Sequence, residues 1–554
     1  MLLSRILIGA LAASLLLPWF ARAQRFPSGP APAEFEAFAG GEIERYLRTL
    51  QDAGQLAPYP WSIRALSPRE IEALAVHEAA HPWSKRYSFA GDSTGGVTRR
   101  VQYGLLSPSV DVVYNSAFPF GGNDGPLWAG RGVTSAVGFG GYARWGPIDL
   151  TIAPVAFRAE NQAFGLAPGS SVPGNEYQNA VAPAHIDLPQ RFGDGAYQRL
   201  DAGNSGVRAE LWGATVGLSS ASQQWGPMDT HPLVLGANAG GFLHFFLGTR
   251  RPIGVGFGDV HVRYVAGRLE RSEYSPTRPG DPRRLTTGLL FVILPRGLPG
   301  LELGGSRFIH RAWPADGVGW KLLSRPFENL LKGHVPEADV REPDNQLASL
   351  FVRWNLPESG FELYAEFLRD DYPYNVRVLV EEPDDLSGHA MGFRKVWQSV
   401  TGDRRSFTVL RTEVLNAISS HRERGGARTA YAFNALTMYQ HGTIVEGHTH
   451  RGQLLASPAG LGGAAAILAV DRYSETGRWS VQLERRVERD RTTGVVPEDP
   501  TDVDVVYALG MEGLRFLGRL DARLGLTAVY NLNRYLSDDS FNLNLRVGAS
   551  ATVP

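Results

Sequence analysis

From Phe541 to Val553 every odd position is apolar (Phe541, Leu543, Leu545, Val547, Ala549, Ala551, Val553), and every even one is Asn, Arg, Gly, Ser or Thr. Side chains alternate faces along a strand, so this run has one greasy face and one polar or small face. Thirteen residues exceed the usual soluble strand of about five or six but suit a tilted transmembrane strand of roughly 9–11 residues with flanks. The pattern recurs upstream, where Leu520, Ala522, Leu524, Leu526, Ala528, Tyr530 and Leu532 alternate with Arg519, Asp521, Arg523, Gly525, Thr527 and Asn531, and only Val529 breaks the polar row. If the apolar row faces lipid, the charged row faces a hydrated lumen; Arg on the outer face at mid-bilayer would cost about 2–4 kcal/mol. Alternation by itself also fits a two-sided sheet in a soluble sandwich.

The first residues favour export. Arg5 supplies a positive start, Ile6 to Leu17 an apolar stretch, and Ala21-Arg22-Ala23 a small-x-small cleavage site, so residues 1–23 read as a signal peptide. No later stretch approaches the ~20 continuous apolar residues of a membrane helix. The absence of Cys excludes disulfides, thiolate metal sites and a lipid-anchored cysteine. With a formal net charge of −1, steering of an acidic partner such as nucleic acid by the whole molecule is not expected. The basic residues are nearly all Arg, with Lys only at 85, 321, 332 and 395, so local bidentate pairing in a crowded lumen is the charge effect to look for.

Residues 24–96 read as a small helical segment ahead of the strands. Phe35, Phe38, Ile43, Tyr46, Leu47 and Leu50 follow helical spacing until Gly54. Ser67-Pro68-Arg69-Glu70 predicts a capped second helix that Pro82 ends. From about Val97 the texture becomes short alternating runs between Gly, Pro, Asp and Asn clusters, with Leu347 to Leu356, Phe361 to Phe367, Thr429 to Tyr439 and Trp479 to Val487 as clear strands. Residues 97–554 would accommodate about eighteen strands at roughly 25 residues each with their connections. The expected fold is therefore mainly β, a transmembrane antiparallel β-barrel with a small N-terminal helical element forming a periplasmic plug or platform. Counting back from a periplasmic C-terminus places 533–540 and 488–500 outside, turns at Gly510 to Gly513 and Arg472 to Gly477 in the periplasm, and His441 to Gly462 on the outer side.

Several segments together resemble the capsule assembly Wzi family of outer-membrane proteins. They are Tyr114-Asn115-Ser116-Ala117-Phe118-Pro119 running to Asp124-Gly125-Pro126-Leu127-Trp128-Ala129-Gly130-Arg131-Gly132; Gln224-Trp225-Gly226-Pro227 with Pro232-Leu233-Val234-Leu235, Asn238-Ala239, Gly241-Phe242-Leu243-His244 and Leu247-Gly248-Thr249; Asp344-Asn345-Gln346-Leu347-Ala348; Tyr364-Ala365-Glu366-Phe367 with Asp370-Asp371-Tyr372; and Tyr439-Gln440-His441-Gly442 to Gly447-His448-Thr449-His450-Arg451-Gly452-Gln453. The likeness covers most of the mature chain. It implies an eighteen-stranded outer-membrane barrel with a periplasmic helical element, lectin-like, holding capsular or exported polysaccharide through outer loops, with no chemistry and no cofactor. Outer-membrane lipid and the capsule export machinery are the further partners it implies. Val553-Pro554 departs from the aromatic final residue common in such barrels.

Other constellations compete. His77-Glu78-Ala79-Ala80-His81 fits the H-E-x-x-H zinc pattern of a protease, although Pro82 breaks a helix there and no third ligand follows at a familiar spacing. His448 and His450 share a strand face and could bind a metal with Glu446, or simply hydrogen-bond their neighbours; with Arg451 they are also candidate polysaccharide contacts. Sugar binding needs aromatic faces beside Arg, Asp and Asn. That mixture occurs at Trp225 with Asp229, at Arg311 to Lys321 with Trp313 and Trp320, and at Asp370, Asp371, Tyr372, Tyr374 and Asn375. Asp370 and Asp371 are adjacent, so on a strand they point apart and make a poor glycosidase pair. The functional expectation is a non-enzymatic polysaccharide-binding barrel; a diffusion porin and a zinc protease are the alternatives.

Overall fold

The computed structural model describes the chain apart from residues 1–30, 33–36, 75–80, 89–100, 168–175, 180–181, 183, 277–280, 329–343, 372–374, 382, 403, 418–437, 462, 490–502 and 552–554. Its alternating runs close on themselves. Twenty-one segments pair edge to edge, and three strands are each interrupted by a bend (148–159, 197–211 and 243–254), which makes an eighteen-stranded antiparallel barrel. The last strand, Ser540–Ala551, pairs with the first, Gln102–Asn115, from Asn544 opposite Asn115 to Ser550 opposite Ser109.

The faces follow the sequence pattern. In Leu520–Leu532 the residues Leu524, Leu526, Ala528 and Tyr530 are exposed on the outer wall while Asp521, Gly525, Val529 and Asn531 are buried inward. Val529, the lone apolar residue of the luminal row, packs with Phe118, Val506 and Ala508 under an inward-folded loop. Trp145, Trp212, Trp354, Trp397 and Trp479 are exposed at one end of the wall. At the other end Tyr507, Tyr530 and Phe541 stand on neighbouring strands. Two aromatic girdles thus bound an apolar belt, as in an outer-membrane barrel.

All connections at the first end are short (146–147, 212–213, 255–257, 296–300, 357–360, 402–403, 475–476, 518–519), and all at the other are long. Short turns face the periplasm in barrels of this kind. The turns at 475–476 and 533–539 fall at the expected ends. Gly510 to Gly513, expected as a turn, instead lies within the strand Asp504–Leu517, and the chain reverses at Gly518, whose φ of +60° suits glycine.

Two helices lie inside the barrel at its short-turn end. Helix α1 (Glu42–Asp52) stops before Gly54, as the spacing indicates. Helix α2 (Pro68–Ala73) has the full capping box between Ser67 and Glu70. It ends at Ala73 rather than near Pro82, because Leu74 already serves as its C-cap; Trp83 belongs to a later turn whose ring stacks on Tyr46 of α1 at 3.9 Å. Luminal charges hold α1 in place. Arg48 donates to Glu362 at 2.6 Å, Arg394 to Asp52 at 2.8 Å, and Arg353 sits between Glu302 and Glu362, all buried. Each of these charges would be costly alone inside the protein, so the pairs fix where the helix sits.

Candidate functional site

Loops 220–242 and 438–461 turn back into the barrel from the outer end and build an apolar core against part of the wall. Trp225, Met228, Leu233, Val234, Phe242, Tyr439, Leu454 and Leu455 pack there on luminal Phe246, Val265, Leu290, Phe308 and Leu347. Gly288 permits the approach, since a Cβ there would lie 2.5 Å from the Trp225 ring. Gln224–Trp225 pairs antiparallel with Ile63–Arg64 of the N-terminal segment, so the two plugs meet inside the lumen. Glu413 on the wall accepts the backbone N–H groups of Asp229 (2.6 Å), Thr230 and His231 (2.9 Å each) and the Tyr364 hydroxyl (2.9 Å).

The remaining space is polar. A luminal cavity of about 500 Å³ is lined by Arg45, Arg411, Arg486, Arg523 and Arg546 against Asp111, Asp124, Asp229, Glu484 and Glu512, five of each sign, which leaves it without net charge. Burial works to raise the Asp229 pKa, but Arg411, Arg48, Arg394 and Arg45 outweigh it and hold the carboxyl well below its ordinary value.

Above this cavity, sharing Phe120, Gly121, Gly122, Asp124, Leu127, Pro458 and Arg486 with it, lies an outer pocket of about 300 Å³. That size is at the lower end for ligand sites. Its walls combine Phe118, Phe120, Trp128, Phe164 and Tyr535 with Gln190, Asn238, Gln453 and Asn531, and with Arg486 and Arg534 against the carboxylates of Asp124, Glu488 and Asp504. The Arg534 guanidinium lies 4.1 Å from the Phe118 ring centroid and 4.3 Å from that of Tyr535. Among the described residues its one side-chain hydrogen bond goes to the Tyr535 hydroxyl, at 2.7 Å, so further N–H donors face the pocket. Arg486 sits 5.2 Å from the Phe120 centroid. Arg546 grips Asp124 with two hydrogen bonds and fixes the loop that separates pocket from cavity. The 533–539 turn that presents Arg534 is strained: Asn533, Tyr535 and Leu536 have φ of 52°, 58° and 59°, unusual for non-glycine residues and of a kind that clusters at binding sites.

The residues singled out from sequence scatter. Trp225 is buried in the inward core and Asp229 lines the luminal cavity. Trp313 stacks on Arg283 at 4.8 Å, Arg311 is buried in the wall, and Trp320 is exposed. Asp370 accepts the backbone N–H groups of Tyr439 (2.6 Å) and Asp371 (3.0 Å), while Asp371 itself has a φ of 62°. His448 donates to the Val234 carbonyl at 2.6 Å and His450 accepts from the Glu270 backbone at 3.1 Å, so both rings hold the inward loop. Arg451 pairs with Glu270 (2.7 Å) and Asp201 (3.0 Å) beside pocket-lining Gln453. His81 meets the Tyr46 hydroxyl at 2.8 Å; His77, Glu78, Tyr372, the signal-like 1–23 and most of 429–439 lie outside the described residues. Among the described residues no cluster of three or more His, Cys, Asp or Glu is placed to hold a metal. Of the outer pocket, the segments quoted for the resemblance reach 114–132, Asn238 and Gly452-Gln453, while Arg486 and Arg534-Tyr535 were missed because the first sits in an ordinary strand and the second in an ordinary turn sequence.

No family model matches the chain, and no curated protein matches it in sequence. Among solved structures it is similar to Wzi, an outer-membrane protein involved in group 1 capsule assembly in Escherichia coli and a carbohydrate-binding β-barrel, with 14% identity and a TM-score of 0.57 over 93% of this chain and 99% of that one. It also matches OccK2 (OpdF) of Pseudomonas aeruginosa, at 10% identity and TM-score 0.38 over 82% and 98% of the two chains. A BenF-like porin from Pseudomonas fluorescens follows at 8% and 0.37 over 83% and 100%. The first of these likenesses supports the fold: an outer-membrane barrel of eighteen strands.

Proposed function

We propose that this chain is a member of the capsule assembly Wzi family, exported to the outer membrane, where it binds capsular or other exported polysaccharide in its outer mouth and helps attach or organise that polymer at the cell surface. The observation that carries the reading is the outer pocket, where half-buried Trp128 and Tyr535 line the wall and Arg534, stacked on buried Phe118, offers unused donors above a lumen narrowed by inward-folded protein. Sugar C–H faces stack on aromatic rings while hydroxyl groups share hydrogen bonds with the guanidinium, amide and carboxylate groups. The plugs at both ends count against free diffusion through the barrel, the alternative reading.

Glycan-array binding by the refolded protein tests this, with Arg534→Ala as the comparison. The native chain is expected to retain one or a few polysaccharides and the variant to bind them at least tenfold more weakly with an unchanged melting temperature. Absence of glycan binding together with large single-channel currents from the native protein would replace the proposal with a porin.

A further inference from the structure

The loop 313–343 leaves the strand Leu301–Ala312 at the outer rim, and its described part does not turn inward. On the strand Gly258–Glu270 the inward row includes Arg263, Val265 and Leu269, so Tyr264 points outward. Its hydroxyl donates to the Leu323 carbonyl at 2.8 Å and its ring stacks on Phe327 at 5.9 Å. On Leu301–Ala312 the luminal row includes Phe308, which packs on Trp225, so Arg307 also points outward. It is nevertheless only 6% exposed. Its guanidinium donates to the carbonyls of Arg325 (3.0 Å), Pro326 (3.2 Å) and Glu328 (2.7 Å) and to Gln346 on the next strand. Arg325 in turn pairs with Asp344 at 3.0 Å and Glu328 at 2.7 Å. The segment is a strap fastened to the outside of the wall.

Its depth follows from strand geometry. Tyr264 and Arg307 each lie six residues beyond the first residue of their strands, Gly258 and Leu301, at the short-turn end. At about 3.3 Å per residue and a tilt of about 40°, that is roughly 15 Å up an apolar band about 25 Å tall. A guanidinium there would face hydrocarbon; the strap carbonyls satisfy it instead, which is the condition for irregular backbone at membrane depth. Below the strap the outward wall is bare apolar surface at Phe291, Leu303, Leu350 and Val352. The outer surface of the strap adds Trp320, 80% exposed, and Phe327, 65% exposed, to this apolar wall, with the exposed Lys321 beside Trp320 as its one basic group there.

We propose that residues 318–328 form a membrane-embedded strap whose Trp320 and Phe327 side chains lie among the acyl chains of the outer leaflet, so that this loop binds lipid rather than glycan. The chain contains no cysteine, so single-cysteine variants report one site each. Spin labels placed at Trp320→Cys and Phe327→Cys, with Leu350→Cys as the lipid-facing control and Asp316→Cys as the loop control, are compared in protein refolded into bilayers. Oxygen and a water-soluble nickel chelate compete as relaxants. The expected result is an oxygen-to-nickel accessibility ratio at 320 and 327 on the Leu350 side of the midpoint between the controls. A ratio on the Asp316 side at either position overturns the strap. Brominated phosphatidylcholine gives a second reading without labels: it should quench the native protein more than Trp320→Phe, and equal quenching would count against the proposal.

Discussion

The assignment of faces can be tested at two adjacent residues of one strand. Leu524 is 59% exposed on the outer wall, beside outward Val547 of the next strand. It stands four residues beyond Leu520, about 10 Å from the short turn at Gly518 and within roughly 3 Å of the middle of the apolar band. Leu524→Arg therefore puts a guanidinium against hydrocarbon at nearly the worst depth, a cost of about 2–4 kcal/mol. Arg523 faces the lumen and pairs with Asp111 at 2.9 Å, with both side chains about a third exposed. Loss of such a hydrated pair in Arg523→Leu costs about 0–1 kcal/mol. The two variants should differ by about 1–4 kcal/mol, at least roughly fivefold in the folding equilibrium. Denaturant titration of folding into short-chain phosphatidylcholine bilayers, followed by tryptophan emission and the heat-modifiable gel band, measures this directly. Equal destabilisation, or a larger effect from Arg523→Leu, would refute the lipid-facing assignment.

Glu413→Ala should strand the three backbone N–H groups of residues 229–231 and the Tyr364 hydroxyl, at about 1–3 kcal/mol for each group left unsatisfied; the expected readouts are a lower melting temperature and larger single-channel current, and an unchanged current would show that this carboxylate does not hold the lumen shut. The inward loop should also loosen in acid. His448 is driven down to about 4 by burial, with the Val234 carbonyl opposing and Arg284 assisting, in a nest that includes His310 and Tyr439. Because the folded state resists protonation while the unfolded chain takes a proton near pH 6.5, stability is full above that value and falls as pH drops toward 4, by up to about 3 kcal/mol. Melting curves from pH 7.5 to 4.5 should show this slope in the native chain and a shallower one in His448→Gln; identical slopes would assign the acid sensitivity to other groups.

Alternation made the wall legible. The rows at 520–532 and 541–551 are outward and inward as their polarity indicates, since lipid on one side and a charged lumen on the other leave little freedom. The helix cap at Ser67 was equally readable because its signal is local. Glycine misled at 510–513: Gly510 borders the luminal cavity inside a strand, and a turn residue and a space-making residue look alike in sequence. Trp225 misled for a similar reason, because a tryptophan beside Gln and Gly reads as a sugar platform when its actual neighbours come from Ile63, Gly288 and Phe308. The pocket around Arg534 and Arg486 joins residues that only barrel closure brings together. Periodicity in one strand carries no information on what faces it across the lumen.

The seam between Gln102–Asn115 and Ser540–Ala551 has a consequence for assembly. Its partners are the beginning and the end of the wall, so no cylinder exists until the final strand has been delivered. Helix α1 and the ribbon at Ile63–Arg64 sit within that cylinder, tied by buried charges to strands from its far side. The N-terminal stopper must therefore be seated before or while the ring zips shut, and contacts so distant along the chain make that last step a slow one.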